Sequence, residues 1–174
     1  MSPPKSASSG GPESADCFEL VTAVCDQLRI RWALAGALAA MRYRVDERTT
    51  NDIDLLVADE TGLVEALVAE GFDVRPYDDD GAVYLIRATK TACAVDLMIP
   101  VTEYQELALQ RSQDHVLTAE DVIVHKLIAG RPRDLSDIES ILASGIELDE
   151  IYIEHWAEIW DVSDLWTAIG QPGR

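Results

Sequence analysis

Two carboxylates stand at i and i+2 in the run Asn51-Asp52-Ile53-Asp54-Leu55-Leu56-Val57, and a third follows in Val95-Asp96-Leu97-Met98. Side chains alternate along a strand, so Asp52 and Asp54 point to one face while Ile53, Leu55 and Val57 point into the core. Carboxylates side by side repel. A hard divalent cation such as Mg2+ takes carboxylate and phosphate oxygens and removes that repulsion, so three carboxylates on neighbouring strands describe a metal site. The plainer alternative is a strand end whose aspartates are merely solvated, and the flanking sequence has to decide.

Upstream, Trp32-Ala33-Leu34-Ala35-Gly36-Ala37-Leu38-Ala39-Ala40-Met41 reads as a short buried strand, a small-residue turn and a helix. Glycine at the turn lets backbone approach a ligand, and free N–H groups at a helix start suit phosphate. Arg42, Arg44 and Arg48 follow, then Thr49 and Thr50, then the acidic strand. The order is phosphate cradle, positive charge, carboxylates.

On these residues the chain resembles the nucleotidyltransferase superfamily, of DNA polymerase beta-like fold, and within it the AbiEii/AbiGii-type toxin nucleotidyltransferases. Those proteins carry a Gly-Gly or Gly-Ser pair, about fourteen residues, then Asp-x-Asp. Here Gly36-Ala37 is followed by fourteen residues, Leu38 to Asn51, and then Asp52-Ile53-Asp54. The run Arg48-Thr49-Thr50-Asn51-Asp52-Ile53-Asp54-Leu55 is similar to the family's Arg-x-Thr/Ser-x-Asp-Ile-Asp-Leu signature. The block from Asp121 through Lys126, Arg131 and Asp134 to Asp137 is similar to its Asp-Leu-x-x-x-Lys-Leu-x-x-x-Arg-x-x-Asp-x-x-Asp element. One departure is Ala37, which keeps a backbone N–H but lacks the hydroxyl a serine would offer.

The resemblance implies transfer of an NMP from an NTP, ATP among them, to a hydroxyl acceptor. Asp52 and Asp54 would hold two Mg2+ ions, with Mn2+ as the substitute, and Asp96 would be the third ligand and help deprotonate the acceptor. Nucleotide would be bound by Gly36, Ala37, Arg48, Thr49, Lys126, Arg131 and Asp134, with Lys126 catalytic. The acceptor stays open among a tRNA end, a protein side chain and a small molecule. A toxin role with an antitoxin protein as partner is one expectation; a catalytically silent binding protein and a nucleotidyltransferase for an aminoglycoside-like molecule are the alternatives.

The C-terminal block can also be read from periodicity alone. Val122, Ile123, Leu127 and Ile128 define the apolar side of one helix, and Lys126 falls between Val122 and Ile123. Leu135, Ile138, Ile141 and Leu142 define that of the next, with Asp134 inside the arc and Asp137 at its edge. Each helix turns a charge inward, so Lys126 either reaches triphosphate or forms a buried pair with Asp134 that holds two helices together.

These residues need elements to position them. Helices are expected at Cys17–Leu28, Leu38–Tyr43, Thr61–Glu70, Arg133–Ala143, Leu148–Trp160 and Asp164–Ile169, with another opened by Thr118 in a capping-box variant closed by Asp121. Strands are expected at Arg31–Ala35, Ile53–Val57 and Cys93–Met98, and a hairpin pairs Val74–Pro76 with Ala82–Arg87 around the turn Tyr77 to Gly81. The fold class is α+β: a nucleotidyltransferase-like mixed β-sheet flanked by helices, with a C-terminal helical region. Residues 1–15, rich in Ser, Pro and Gly, read as a disordered tail, 16–115 as the nucleotidyltransferase core, and 116–174 as helices packed on it.

With 174 residues, 48% of them hydrophobic, the chain suffices for one core. No signal segment or membrane span is expected, and a cytoplasmic location is. Cys17, Cys25 and Cys93 lack metal spacing and read as core or surface thiols in a reducing compartment. The net charge of −18 weighs against general nucleic-acid binding. Yet six of the 14 basic residues, Arg42, Arg44, Arg48, Lys126, Arg131 and Arg133, sit in the two motif segments, so a positive pocket on an acidic body is expected. The acidic runs Asp78 to Asp80 and Glu147 to Asp164 are solvated faces, or faces that receive a basic antitoxin or a cationic aminoglycoside. His115, His125 and His155 lack zinc spacing, and Trp156, Trp160 and Trp166 read as packing residues.

Overall fold

The computed structural model describes residues 12–46, 49–91 and 93–170. The chain opens with helix α1 (Pro12–Gln27), strand β1 (Trp32–Leu34), helix α2 (Gly36–Ala40), strand β2 (Asp52–Val57) and helix α3 (Leu63–Ala69). Strands β3 (Asp73–Asp79), β4 (Ala82–Lys90) and β5 (Cys93–Met98) follow, and the rest is helical: α4 (Glu103–Arg111), α5 (Ala119–Ala129), α6 (Pro132–Ala143), α7 (Glu150–Ile159) and α8 (Ser163–Gly170). The strands form one mixed sheet in the order β1-β2-β5-β4-β3, in which β2 and β5 are parallel and all other neighbours antiparallel.

Alternation along β2 divides the molecule. Ile53, Leu55 and Val57 join Val95, Leu97, Ile86 and Ala88 in a buried cluster under α1 and α3. Leu56 points the other way, into a second cluster with Ala33, Ala39, Val122, Ile123, Leu127, Ile138 and Trp156. Asp52 and Asp54 share the face of Leu56, but Asp52 is exposed and Asp54 half-buried. The helices therefore cover one end of that face and leave the acidic end open.

Several local expectations change. Residues 12–15 belong to α1, whose first residue, Pro12, tolerates its missing N–H there; residues 1–11 of the expected tail lie outside the described residues. The hairpin turn is shorter than expected. β3 and β4 stay paired to Asp79 and Ala82, and Asp80 and Gly81 both take positive φ, as a two-residue turn matched to strand twist requires. Helix α4 is an element not among those expected; Thr102 caps it by accepting from the Gln105 N–H. The Thr118 cap is present: its Oγ1 accepts from the Asp121 N–H and donates to Asp121 Oδ2 at 2.7 Å.

The cysteines also need correction. Cys17 and Cys93 are bonded as a disulfide, 76 residues apart, because α1 packs across the start of β5. Cys25 is the free thiol among the described residues; it is buried, and burial pushes its pKa up to about 12. No helix among the described residues is long and apolar enough to cross a membrane.

Candidate functional site

The parallel pairing of β2 with β5 sets Asp54 directly beside Asp96, and Asp52 beside Ala94. Register partners share a face, so the three aspartates lie on the open side of the sheet. Burial, followed by the charges of Asp96 and Asp52, raises the pKa of Asp54 above the ordinary carboxylate value, while Lys126 and Arg131 oppose the rise. Asp96 is differently placed. Arg87 lies opposite it on β4 and grips both oxygens, Nε donating to Oδ1 at 2.7 Å and Nη2 to Oδ2 at 2.6 Å.

Arg87 thus ion-pairs with the third carboxylate, and among the described residues no His, Cys, Asp and Glu side chains are gathered in a group of three or more. The donor chemistry still fits Mg2+, which uses one or two carboxylates and completes its shell with water and substrate phosphate. Asp52 and Asp54 supply the two, and the like charge crowding Asp54 is what such a cation would relieve.

Gly36 controls access from the other side. It takes φ +58, and a Cβ added there would overlap Asp54 Oδ2. The turn is glycine both for its left-handed backbone and because the Asp54 carboxylate occupies the space of a side chain. Just before it, the Ala35 N–H donates to the Asp54 carbonyl at 2.8 Å, which fixes the turn against the strand.

A small cavity is lined by Gly36 and Ala37 with Thr50, Asp52 and Asp54, and by Lys126 from α5 with Arg131, Arg133, Asp134 and Asp137 around the start of α6. Lys126 is buried, and its Nζ donates to Asp137 Oδ2 at 2.6 Å and to Asp134 Oδ1 at 3.3 Å. Each carboxylate has a second cation: Arg44 on Asp137 at 2.6 Å and Arg131 on Asp134 at 2.6 Å. Burial alone would raise the Asp134 pKa, but the Arg131 hydrogen bond and the charges of Lys126 and Arg131 hold it below its ordinary value. The Lys126–Asp134 pair foreseen from the helical stripes is therefore the longer arm of a wider network, whose shorter arm runs to Asp137.

Other residues fall differently from expectation. Arg48 lies outside the described residues. Thr49 is exposed, whereas its neighbour Thr50 lines the cavity and accepts from the Asp52 N–H at 3.2 Å. Arg133, expected in a positive pocket, and Asp137 line the cavity, and Arg44 reaches the site through its ion pair with Asp137. Arg87 escaped notice because its partner is set by strand register, which the local sequence does not announce.

A second, larger cavity of about 370 Å3 opens beyond the carboxylates, lined by Asp54, Asp96, Tyr84, Leu85, Met98, Val101 and Gln105. Val101 and Gln105 bring in α4 and the segment before it. Asp54 lines both cavities.

No family model and no curated protein matches the chain. Solved structures do. The solution structure of the antibiotic-resistance factor ANT(2'')-Ia is similar over 91% of this chain and 95% of its own, with a TM-score of 0.59 at 16% identity. Its crystal structure in complex with adenylyl-2''-tobramycin gives 0.60 at 15% identity, over 86% of this chain and 97% of that one. An H. pylori protein assigned to the nucleotidyltransferases gives 0.51 at 17% identity, over 94% and 85%. At these identities the likeness is one of fold: the chain has the nucleotidyltransferase fold, an α+β architecture built on a mixed sheet.

Proposed function

We propose that the chain is a metal-dependent nucleotidyltransferase that moves an NMP from an NTP to a hydroxyl on a small cationic acceptor. The observation that carries this reading is that Asp54 lines two cavities of different character. One gathers Lys126, Arg131 and Arg133 beside the Gly36 turn, with the Asp52/Asp54 pair and Asp134 and Asp137 among them, and suits a metal-bound triphosphate; the other has two carboxylates, Asp54 and Asp96, apolar side chains and no basic residue, and suits a compact cation. The ANT(2'')-Ia complex, which holds an adenylylated tobramycin on a similar fold, supports the choice of acceptor class. So does the net charge of −18.

In this reading Lys126, Arg131 and Arg133 bind the β- and γ-phosphates, and the backbone at Gly36 and Ala37 lets them approach closely. Asp52 and Asp54 are the residues that would hold Mg2+, which when bound supplies positive charge to the phosphate oxygens as negative charge develops on them. The acceptor hydroxyl oxygen attacks the α-phosphorus, the bond to pyrophosphate breaks, and pyrophosphate leaves toward the Gly36 turn. Asp96, on the acceptor side, takes the hydroxyl proton.

The test is incubation with labelled NTPs and Mg2+ against three acceptor pools: tobramycin-like aminocyclitols, total tRNA, and extract protein. Label on the aminocyclitol, lost in Asp54→Asn, is the expected result. Label only on tRNA or protein would return the acceptor to the toxin class that the Arg48-to-Leu55 signature resembles. NTP binding with no transfer to any pool would leave a silent binding protein.

A further inference from the structure

We propose that Arg87 is a latch on Asp96 that sets how readily the carboxylate site takes up a divalent cation; this rests on the metal-dependent reading above. Strand register runs a row of charge straight across the sheet, Asp54 beside Asp96, Asp96 beside Arg87, and Arg87 beside Arg75. Both Asp96 oxygens are engaged by the Arg87 guanidinium, whose charge opposes a cation or a hydroxyl proton arriving at their remaining lone pairs until Arg87 withdraws.

The same row makes withdrawal easy. The Arg87 side chain is 49% exposed, so the pair sits where water competes with it. Arg75, a like charge directly across on β3, disfavours a second cation beside it, and lies against the Tyr77 ring at 6.0 Å with no carboxylate partner among the described residues. Arg87 is thus held by one bidentate pair and pushed from behind. It keeps the acidic row from repelling itself while the site is empty, and it yields to a stronger cation.

The latch makes a directional claim that a merely structural ion pair does not. Freeing Asp96 adds a negative charge next to Asp54, which should tighten binding of a divalent cation by about tenfold for charges about 5 Å apart in a largely aqueous setting. Arg75→Gln removes the same charge two strands from Asp96 without touching a carboxylate, and should change affinity less than about threefold.

The experiment is a titration with Mn2+ alone, reading free Mn2+ by electron paramagnetic resonance, on wild type, Arg87→Gln, Arg87→Lys, Arg75→Gln, Asp54→Asn and Arg87→Gln/Asp96→Asn. About tenfold tighter binding in Arg87→Gln that disappears in the double variant is the expected result. Arg87→Lys, which keeps the charge but cannot fork both oxygens, should gain part of it, and it decides the matter should Arg87→Gln not fold. Unchanged affinity in both Arg87 variants, or an equal gain in Arg75→Gln, overturns the latch. If Asp54→Asn still loses Mn2+ while the Arg87 variants match wild type, the metal site stands and the latch alone falls. No Mn2+ binding by any variant overturns both.

Discussion

Replacing Lys126 by methionine separates phosphate binding from architecture, and the network around it fixes how much stability should be lost. Stranding a carboxylate by removing the partner of a buried pair costs about 3–5 kcal/mol. Here neither carboxylate is stranded, since Asp137 keeps Arg44 at 2.6 Å and Asp134 keeps Arg131 at 2.6 Å. Methionine also preserves the apolar stem of a buried side chain. The expected cost is therefore nearer 2 kcal/mol by order of magnitude, a fall in Tm of roughly 4–8 °C for a domain of this size. Affinity for a non-hydrolysable NTP with Mg2+ should drop at least tenfold, about 1.4 kcal/mol or more, because the removed cation lines the same cavity as the Gly36 turn. Thermal melts and calorimetric titration read the two effects independently. A larger stability loss, recovered when Asp137→Asn or Asp134→Asn is added, together with unchanged nucleotide affinity, would refute the phosphate role and leave Lys126 as scaffold.

Gly36→Ala should abolish nucleotide binding and lower Tm, because its Cβ overlaps the Asp54 carboxylate and its φ of +58 disfavours an L side chain, whereas Ala37→Ser should bind NTP at least as well as wild type; calorimetry on both checks this. Burial, then the charges of Asp96 and Asp52, raise the Asp54 pKa, so its contribution to stability is present below the ordinary carboxylate range and lost as pH rises through its folded pKa. In metal-free buffer Asp54→Asn should melt above wild type at about pH 7, lose that advantage toward about pH 3, and be inactive in transfer. The Cys17–Cys93 bond closes a loop across 76 residues, so the double serine variant should lose about 2–4 kcal/mol, and wild type melted in reductant should match it.

How much of this was legible in the sequence follows from which interactions are local. The Asp52/Asp54 alternation, the β5 boundaries, the Thr118 cap and the inward charges at Lys126 and Asp134 all depend on residues within a few positions of one another, where period and capping chemistry act directly. Helix α4 has a local signal as well: Thr102 and Gln105 stand at capping spacing. The Cys17–Cys93 bond and the Arg44–Asp137 contact join residues 76 and 93 positions apart, and no pattern along the chain specifies such partners.

Arg87 lies between these cases and shows where pattern reading ends. Alternation on β4 places Arg87 with Leu85 on the face opposite Ile86 and Ala88, but only the register against β5 makes its neighbour Asp96 rather than Ala94 or Met98. A one-residue slip of β4 would turn Arg87 into the buried cluster, so burial of Ile86 and Ala88 fixes its face, while the tight connection that pairs Lys90 with Cys93 selects Asp96 over Ala94 and Met98. The core that the sequence announces thus fixes the face of Arg87, and the short β4–β5 connection fixes its partner. That contact decides whether the third aspartate is available to a cation.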